Sequence, residues 1–130
     1  MKNEMNGFII EGRLPGLNQL IDQNRSCKWA GAKLKQETDW RICWEIRKEM
    51  EAGQCHKPAG PVRIRFNWHE KNRRRDLDNI FSAKKFILDA MQKTGLIDGD
   101  GQKYVVGLED RFVLDKEEMI VVFLIEENQS

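Results

Sequence analysis

Val62-Arg63-Ile64-Arg65-Phe66-Asn67-Trp68-His69 alternates without a break between large apolar and polar side chains. Period two is the signature of a strand with one buried face. Here the outward residues include Arg63 and Arg65, so the predicted strand has a basic outer face. Before it, Cys55 to Pro61 is rich in Gly and Pro and reads as a turn. After it, Lys71 to Arg75 is a basic loop. Asp76 or Asp78 then stands where a helix N-terminus needs an acceptor for its free amides, opening a helix predicted over about Asn79 to Lys93 and ended by Gly95.

Upstream, Phe8 to Leu14 predicts a first strand, stopped by Pro15-Gly16, and Leu17 to Ser26 reads as a polar loop. From about Trp29 to Ala52 the spacing of Ile42, Cys43, Ile46 and Met50 predicts a long amphipathic helix, with Trp40 and Trp44 widening its apolar face and Gly53 as the stop. Downstream, Asp98-Gly99-Asp100-Gly101 is a tight turn. Tyr104 to Leu114 and Met119 to Glu126 predict two strands joined closely enough to demand a hairpin. The order β-α-β-α-β-β gives an α+β class, with two helices on a small mixed sheet.

The whole chain, 1–130, reads as a single domain, long enough to bury a core. Its longest apolar run, Met119 to Ile125, is far short of the roughly 20 residues that span a bilayer. MKNEMNG has no basic region followed by an apolar stretch, so no secretory signal and no membrane are expected. Cys27, Cys43 and Cys55 are odd in number and lack a CxxC pair. This argues against a disulfide framework or a cysteine zinc cage and for a reducing compartment. His56 and His69 have no metal-ligand spacing, and no Walker loop or GxGxxG is present. Net charge is +1, but the total hides a basic middle, Lys57 to Lys85, beside an acidic end, Glu109 to Glu127.

The chemistry concentrates in Arg73-Arg74-Arg75-Asp76-Leu77-Asp78-Asn79. In an extended segment entering a helix, carboxylates at i and i+2 project to one side and can grip a hard cation such as Mg²⁺; a helix cap plus a solvated acid is the competing explanation. The arginines keep the acids ionised and can hold phosphate oxygens. With Arg63 and Arg65 on the preceding strand, a phosphate-binding surface is favoured over a solvated charged loop. Lys85 lies seven residues after Asp78, close to two helical turns, so both are expected on one face; Lys84 is rotated away by about a third of a turn. Lys85 is therefore the candidate for stabilising charge on a phosphate being cleaved, alongside an i,i+4 pair with Asp89. Asp98-Gly99-Asp100 is by itself an ordinary turn.

Arg75-Asp76-Leu77-Asp78-Asn79, the helix ending in Leu88-Asp89-Ala90-Met91, then Gly95 and Asp100-Gly101-Gln102, resembles the RusA family of Holliday junction resolvases, crossover junction endodeoxyribonucleases of bacteria and their phages. Leu14-Pro15-Gly16-Leu17-Asn18 is similar to the family's N-terminal Pro/Asn segment. The resemblance implies a dimeric, Mg²⁺-dependent α+β enzyme (Mn²⁺ able to substitute) that nicks four-way DNA junctions symmetrically in recombination and repair. Its setting would be the cytoplasm of a bacterium or phage-infected host. It places the metal-holding catalytic aspartates on Asp76, Asp78 and Asp100, with Asp98 a rival to Asp100. The catalytic lysine falls on Lys85 when counted back from Asp89. DNA contacts are expected from Asn18, Arg63, Arg65, Lys71, Arg73, Arg74 and Arg75. A non-catalytic module binding branched DNA, and a nuclease for flaps or forks, remain the alternatives.

Overall fold

A computed structural model describes residues 5–127. The chain is α+β: β1 (Gly7–Glu11), α1 (Leu17–Ser26), α2 (Lys28–Glu51), β2 (Val62–Glu70), α3 (Leu77–Phe81), α4 (Lys84–Lys93), β3 (Val105–Leu114) and β4 (Met119–Glu126). The four strands form one mixed sheet in the order β1-β4-β2-β3. Val62, Ile64, Phe66 and Trp68 all point into the core, as their alternation demands. They meet Phe8 and Ile10 of β1, Ile120, Val122 and Leu124 of β4, and Ile42, Ile46, Ile80, Ile87 and Met91 of the helices. No residue of the other sheet face belongs to this core, so the helices cover one face only.

Four expectations are corrected. The predicted hairpin does not form: β4 lies between β1 and β2, antiparallel to both, while β3 pairs with β2 in parallel. The reason lies in composition. Met119 to Ile125 is apolar at every position and suits a strand buried among neighbours. β3 carries Glu109, Asp110 and Arg111 and suits an edge, where charge deters further pairing. The segment from β3 to β4 therefore crosses the end of β2, where the Asp115 amide donates to the Glu70 carbonyl (2.9 Å) and its carboxylate meets His69 Nδ1 (2.9 Å).

The predicted two helices are four. Leu17 to Ser26 is not a loop but α1, whose polar surface hid a weak periodicity. The second helix is broken at Ser82-Ala83 into α3 and α4; Ser82 Oγ donates to the Asn79 carbonyl (2.6 Å) there, a side-chain bond of the kind that competes with the helical ladder. Gly95 does end α4, with φ +80.

Trp40 and Trp44 do not widen the buried face. They are 80% and 61% exposed, and Trp29 is 69% exposed; only Trp68 is core. At about 100° per residue they sit roughly 160° and 200° from Ile42, on the far side of α2. Cys55 is buried, and desolvation pushes its thiol up to about 11.

Phe66 is fully buried at the centre of the sheet. Phe66→Ala is expected to lower stability by about 3–5 kcal/mol, read as a shift of the urea midpoint without a change in slope.

Candidate phosphate and metal site

The loop after β2 and the start of α3 carry the candidate residues, and a buried ion pair holds them. Glu70, the last residue of β2, is 5% exposed. Arg75 Nη1 donates to its Oε2 at 3.0 Å, and Arg13 approaches its other oxygen at 3.8 Å. Arg75 also donates to the Leu14 carbonyl at 3.4 Å. Arg75 thus closes the loop 71–75 onto the end of its own strand and onto the segment after β1.

A second clamp links the two stretches that carry the family resemblance. The first amides of α1 have no intrahelical acceptors. Leu17 N donates to Ser82 Oγ at 2.9 Å and Asn18 N to Asn79 Oδ1 at 3.1 Å. The caps for α1 therefore come from α3 and the turn after it. Gly16 is needed for this approach: a Cβ there would stand 2.4 Å from Asn79 Oδ1. The Pro15-Gly16-Leu17-Asn18 and Asp76-Leu77-Asp78-Asn79 stretches form one docked unit, and Asn18 is brought beside Asp78.

Asp76 occupies the N-cap position of α3 in an extended conformation (φ −67, ψ 145), but its side chain makes no cap bond. Asp78 lies in the first turn. Both are exposed, and neither carboxylate has a hydrogen bond or ion pair with another described residue. Two unpartnered carboxylates two residues apart fit Mg²⁺, which commonly takes one or two carboxylates and fills its octahedron with water and substrate phosphate oxygens.

Asp100 is not brought to them. Asp76 and Leu77 border a small cavity with Phe112 near the end of β3, whereas the Asp98–Gly101 turn feeds the start of β3 at Val105. Phe112 to Val105 is seven residues, roughly 23 Å at strand rise. Among the described residues no group of three or more His, Cys, Asp or Glu is placed to hold a metal. Asp98 pairs with Lys57 at 2.7 Å.

The cations divide into two groups. Arg63 and Arg65 are already matched: Glu109 accepts from Arg63 Nε (2.8 Å) and Arg65 Nε (2.9 Å), and Glu127 accepts from Arg63 Nη1 (2.7 Å). In contrast, Lys71 and Arg74 make no side-chain hydrogen bond or ion pair with a described residue, and Arg73 rests only over the Phe112 ring, 5.3 Å from its centroid. The break in the second helix removes the two-turn register expected between Asp78 and Lys85. Lys85 is largely exposed and pairs with Asp89 at 3.1 Å.

Several residues of the site region were not singled out from sequence. Lys84 pairs with Asp110, whose other oxygen accepts from Trp68 Nε1 (2.9 Å); this pins the start of α4 to β3. Arg13, Gln19, Glu37 and Arg41 line a cavity of about 450 Å³ together with Arg75. Arg13, Gln19 and the Glu37 and Arg41 pair of α2 come from three separate segments, and no local pattern links the segments.

No protein-family model matches the chain, and no curated protein matches it.

Two outcomes follow from these contacts. Arg75→Ala leaves Glu70 buried with only the distant Arg13, and is expected to cost about 3 kcal/mol by urea unfolding; Arg74→Ala is expected to cost nothing measurable. The hydrogen bond from Arg65, joined by that from Arg63, holds the Glu109 carboxyl below the usual glutamate range. Its stabilisation is present above the ordinary value, roughly 4.3, and is lost as pH falls through the depressed one. Thermal unfolding of Glu109→Gln should therefore lie below wild type at pH 7 and converge with it in strong acid.

Proposed function

We propose that this chain is a Mg²⁺-dependent, structure-selective DNA endonuclease that resolves four-way junctions by paired nicks. The observation that carries the proposal is the exposed Asp76 and Asp78 pair, held beside Lys71, Arg73 and Arg74, none of which is paired with an oppositely charged side chain among the described residues. A surface of uncompensated cations attracts a polyanion. Carboxylates placed within it, with no cation of their own, suit a metal bound jointly with a phosphate rather than a structural cap.

In this proposal Asp76 and Asp78 hold the ion, Mn²⁺ being able to replace Mg²⁺. The bound ion would polarise a phosphate oxygen and lower the pKa of a water for in-line attack. Arg73, Arg74 and Lys71 position the backbone on either side of the scissile phosphate. Asn18, fixed by its amide to Asn79, borders the same site. The Lys85 ammonium, restrained only by a surface pair with Asp89, offsets charge that grows on the phosphate. Arg63 and Arg65, matched by Glu109 and Glu127, contribute to the field rather than to direct contacts.

Asp100 decides the assembly. One chain keeps it near the opposite end of β3, so a three-carboxylate site needs a homodimer in which the partner's Asp100 approaches Asp76 and Asp78. A two-fold dimer also suits a two-fold junction cut twice.

The test is cleavage of a labelled four-way junction, beside a linear duplex and a flap. Paired nicks confined to the junction, abolished by EDTA and reduced at least about 100-fold in Asp76→Asn, are expected. Mixing Asp76→Asn with Asp100→Asn chains should restore single nicks, since one of the two sites in a mixed dimer would then be intact. Binding of the junction without cutting by any form would leave a branched-DNA-binding module; preferential cutting of the flap would make it a flap nuclease. Full activity of Asp100→Asn would remove Asp100, and the need for the partner, from the site.

A further inference from the structure

The exposed tryptophans of α2 have no part in the site described above. Trp40 and Trp44 lie one turn apart and, with Glu37, Arg41 and Arg47, wall an open cavity of about 550 Å³. Exposed tryptophans cost solvation and ask for a partner. The chemistry around this pair selects one. The Arg41 guanidinium donates to the carbonyls of Glu11 and Arg13, not to a carboxylate, so it keeps its full charge. Arg47 has no ion pair or hydrogen bond with a described residue. The Lys48 ammonium sits 4.6 Å from the Trp44 ring centroid and is paired with Glu45 at 3.0 Å.

The cavity also shares side chains with its neighbours on the way to the candidate site. Glu37 and Arg41 line both it and the neighbouring cavity of about 450 Å³, whose far wall includes Arg13 and Arg75. Arg75 in turn lines the cavity of about 260 Å³ that contains Arg73 and Asp76. Shared side chains thus link a row of three neighbouring cavities, from Asp76 and Arg73 past Arg75 and Arg13, which also meet Glu70, to Arg41 and the two tryptophans. Among the described residues Glu37 is the one carboxylate lining its two larger cavities.

We infer that this row of cavities carries a single strand of nucleic acid and that Trp40 and Trp44 stack an unpaired base between them. The inference deepens the nuclease proposal and rests on it for the identity of the strand. Residues at i and i+4 stand about 6 Å apart along a helix. A base held between two indoles needs two stacking gaps of about 3.4 Å, close to the same figure. Arginines that track a backbone towards aromatic platforms are the recurring design of single-strand sites. At a branch point the slot would capture a base that has left its pair, with the attached strand laid across Asp76. A second copy of this chain, or a protein helix, would be met by complementary carboxylates or apolar groups; Arg41 and Arg47, which no described carboxylate meets, and the neighbouring Arg73 favour a polyanion.

The test uses the full chain in EDTA at low salt. Tryptophan emission is titrated with an oligothymidylate, and affinities are taken from the anisotropy of a labelled copy. Wild type should show quenching. The double variant Trp40→Ala, Trp44→Ala should bind about 5- to 30-fold more weakly, Trp40→Phe, Trp44→Phe should recover most of the loss, and Arg47→Ala should weaken binding and its salt dependence. The changes are on the surface, and far-ultraviolet circular dichroism and urea unfolding unchanged from wild type are expected. No oligonucleotide binding by wild type, equal affinity for the alanine variant, or a tryptophan-dependent loss of dimer in sedimentation would each overturn the inference. Junction cleavage with Mg²⁺, run in parallel, separates the two proposals. Cutting by wild type with no effect of the tryptophans on binding leaves the nuclease and removes the slot. Tryptophan-dependent strand binding with no cutting of any DNA keeps the slot and removes the nuclease.

Discussion

The buried pair between Glu70 and Arg75 governs the layout of the functional end of this molecule. A carboxylate removed from water is tolerated only if its charge is met. Glu70 ends the central strand β2, so whatever neutralises it must come to that point. Arg75 comes from five residues on and Arg13 from the segment after β1. The chain between Glu70 and Arg75 is forced to turn back at once. This displays Lys71, Arg73 and Arg74 as a tight basic loop and delivers Asp76 directly to the start of α3. The local geometry of the candidate site is thus a consequence of satisfying one interior charge.

Much of the fold was legible, and the reasons differ by element. β2 could be read residue by residue because alternation against one buried face leaves a period that nothing else imitates. The core face of α2 was equally legible from Ile42, Cys43 and Ile46, but Trp40 and Trp44 were assigned to it by hydrophobicity rather than by angle. Helical geometry alone places them on the opposite side, and that discrepancy is available in the sequence. The order of strands was not legible. Sequence proximity favoured pairing β3 with β4, whereas the crossover through α3 and α4 delivers β3 alongside β2 in parallel. The uniform apolarity of β4 was the clue that it needed a neighbour on each side.

Of the candidate site, the Asp76 and Asp78 pair was legible as a local pattern. The separation of Asp100 was not, because it depends on where β3 docks. Likewise the register of Lys85 relative to Asp78 assumed an unbroken helix, and the Ser82 hydroxyl that bonds Asn79 and caps α1 lies where the helix breaks. Ser82 looked like an arbitrary small residue in sequence; its role is tertiary.

Charge shows how the parts are reconciled. A net charge of +1 would ordinarily say little about binding nucleic acid. The acidic C-terminal third explains the total without weakening the loop. Glu109 and Glu127 match the strand arginines, Asp115 meets His69, and Glu118 lies 3.7 Å from Arg13. Those acids are spent on the sheet and its edges. Lys71, Arg73, Arg74 and Arg47 are left with no acidic partner among the described residues, and Arg41 is held by carbonyls alone. A chain nearly neutral overall can therefore leave cations uncompensated in the loop 71–75 and on α2, because its negative charge is fixed elsewhere by hydrogen bonds that the fold itself requires.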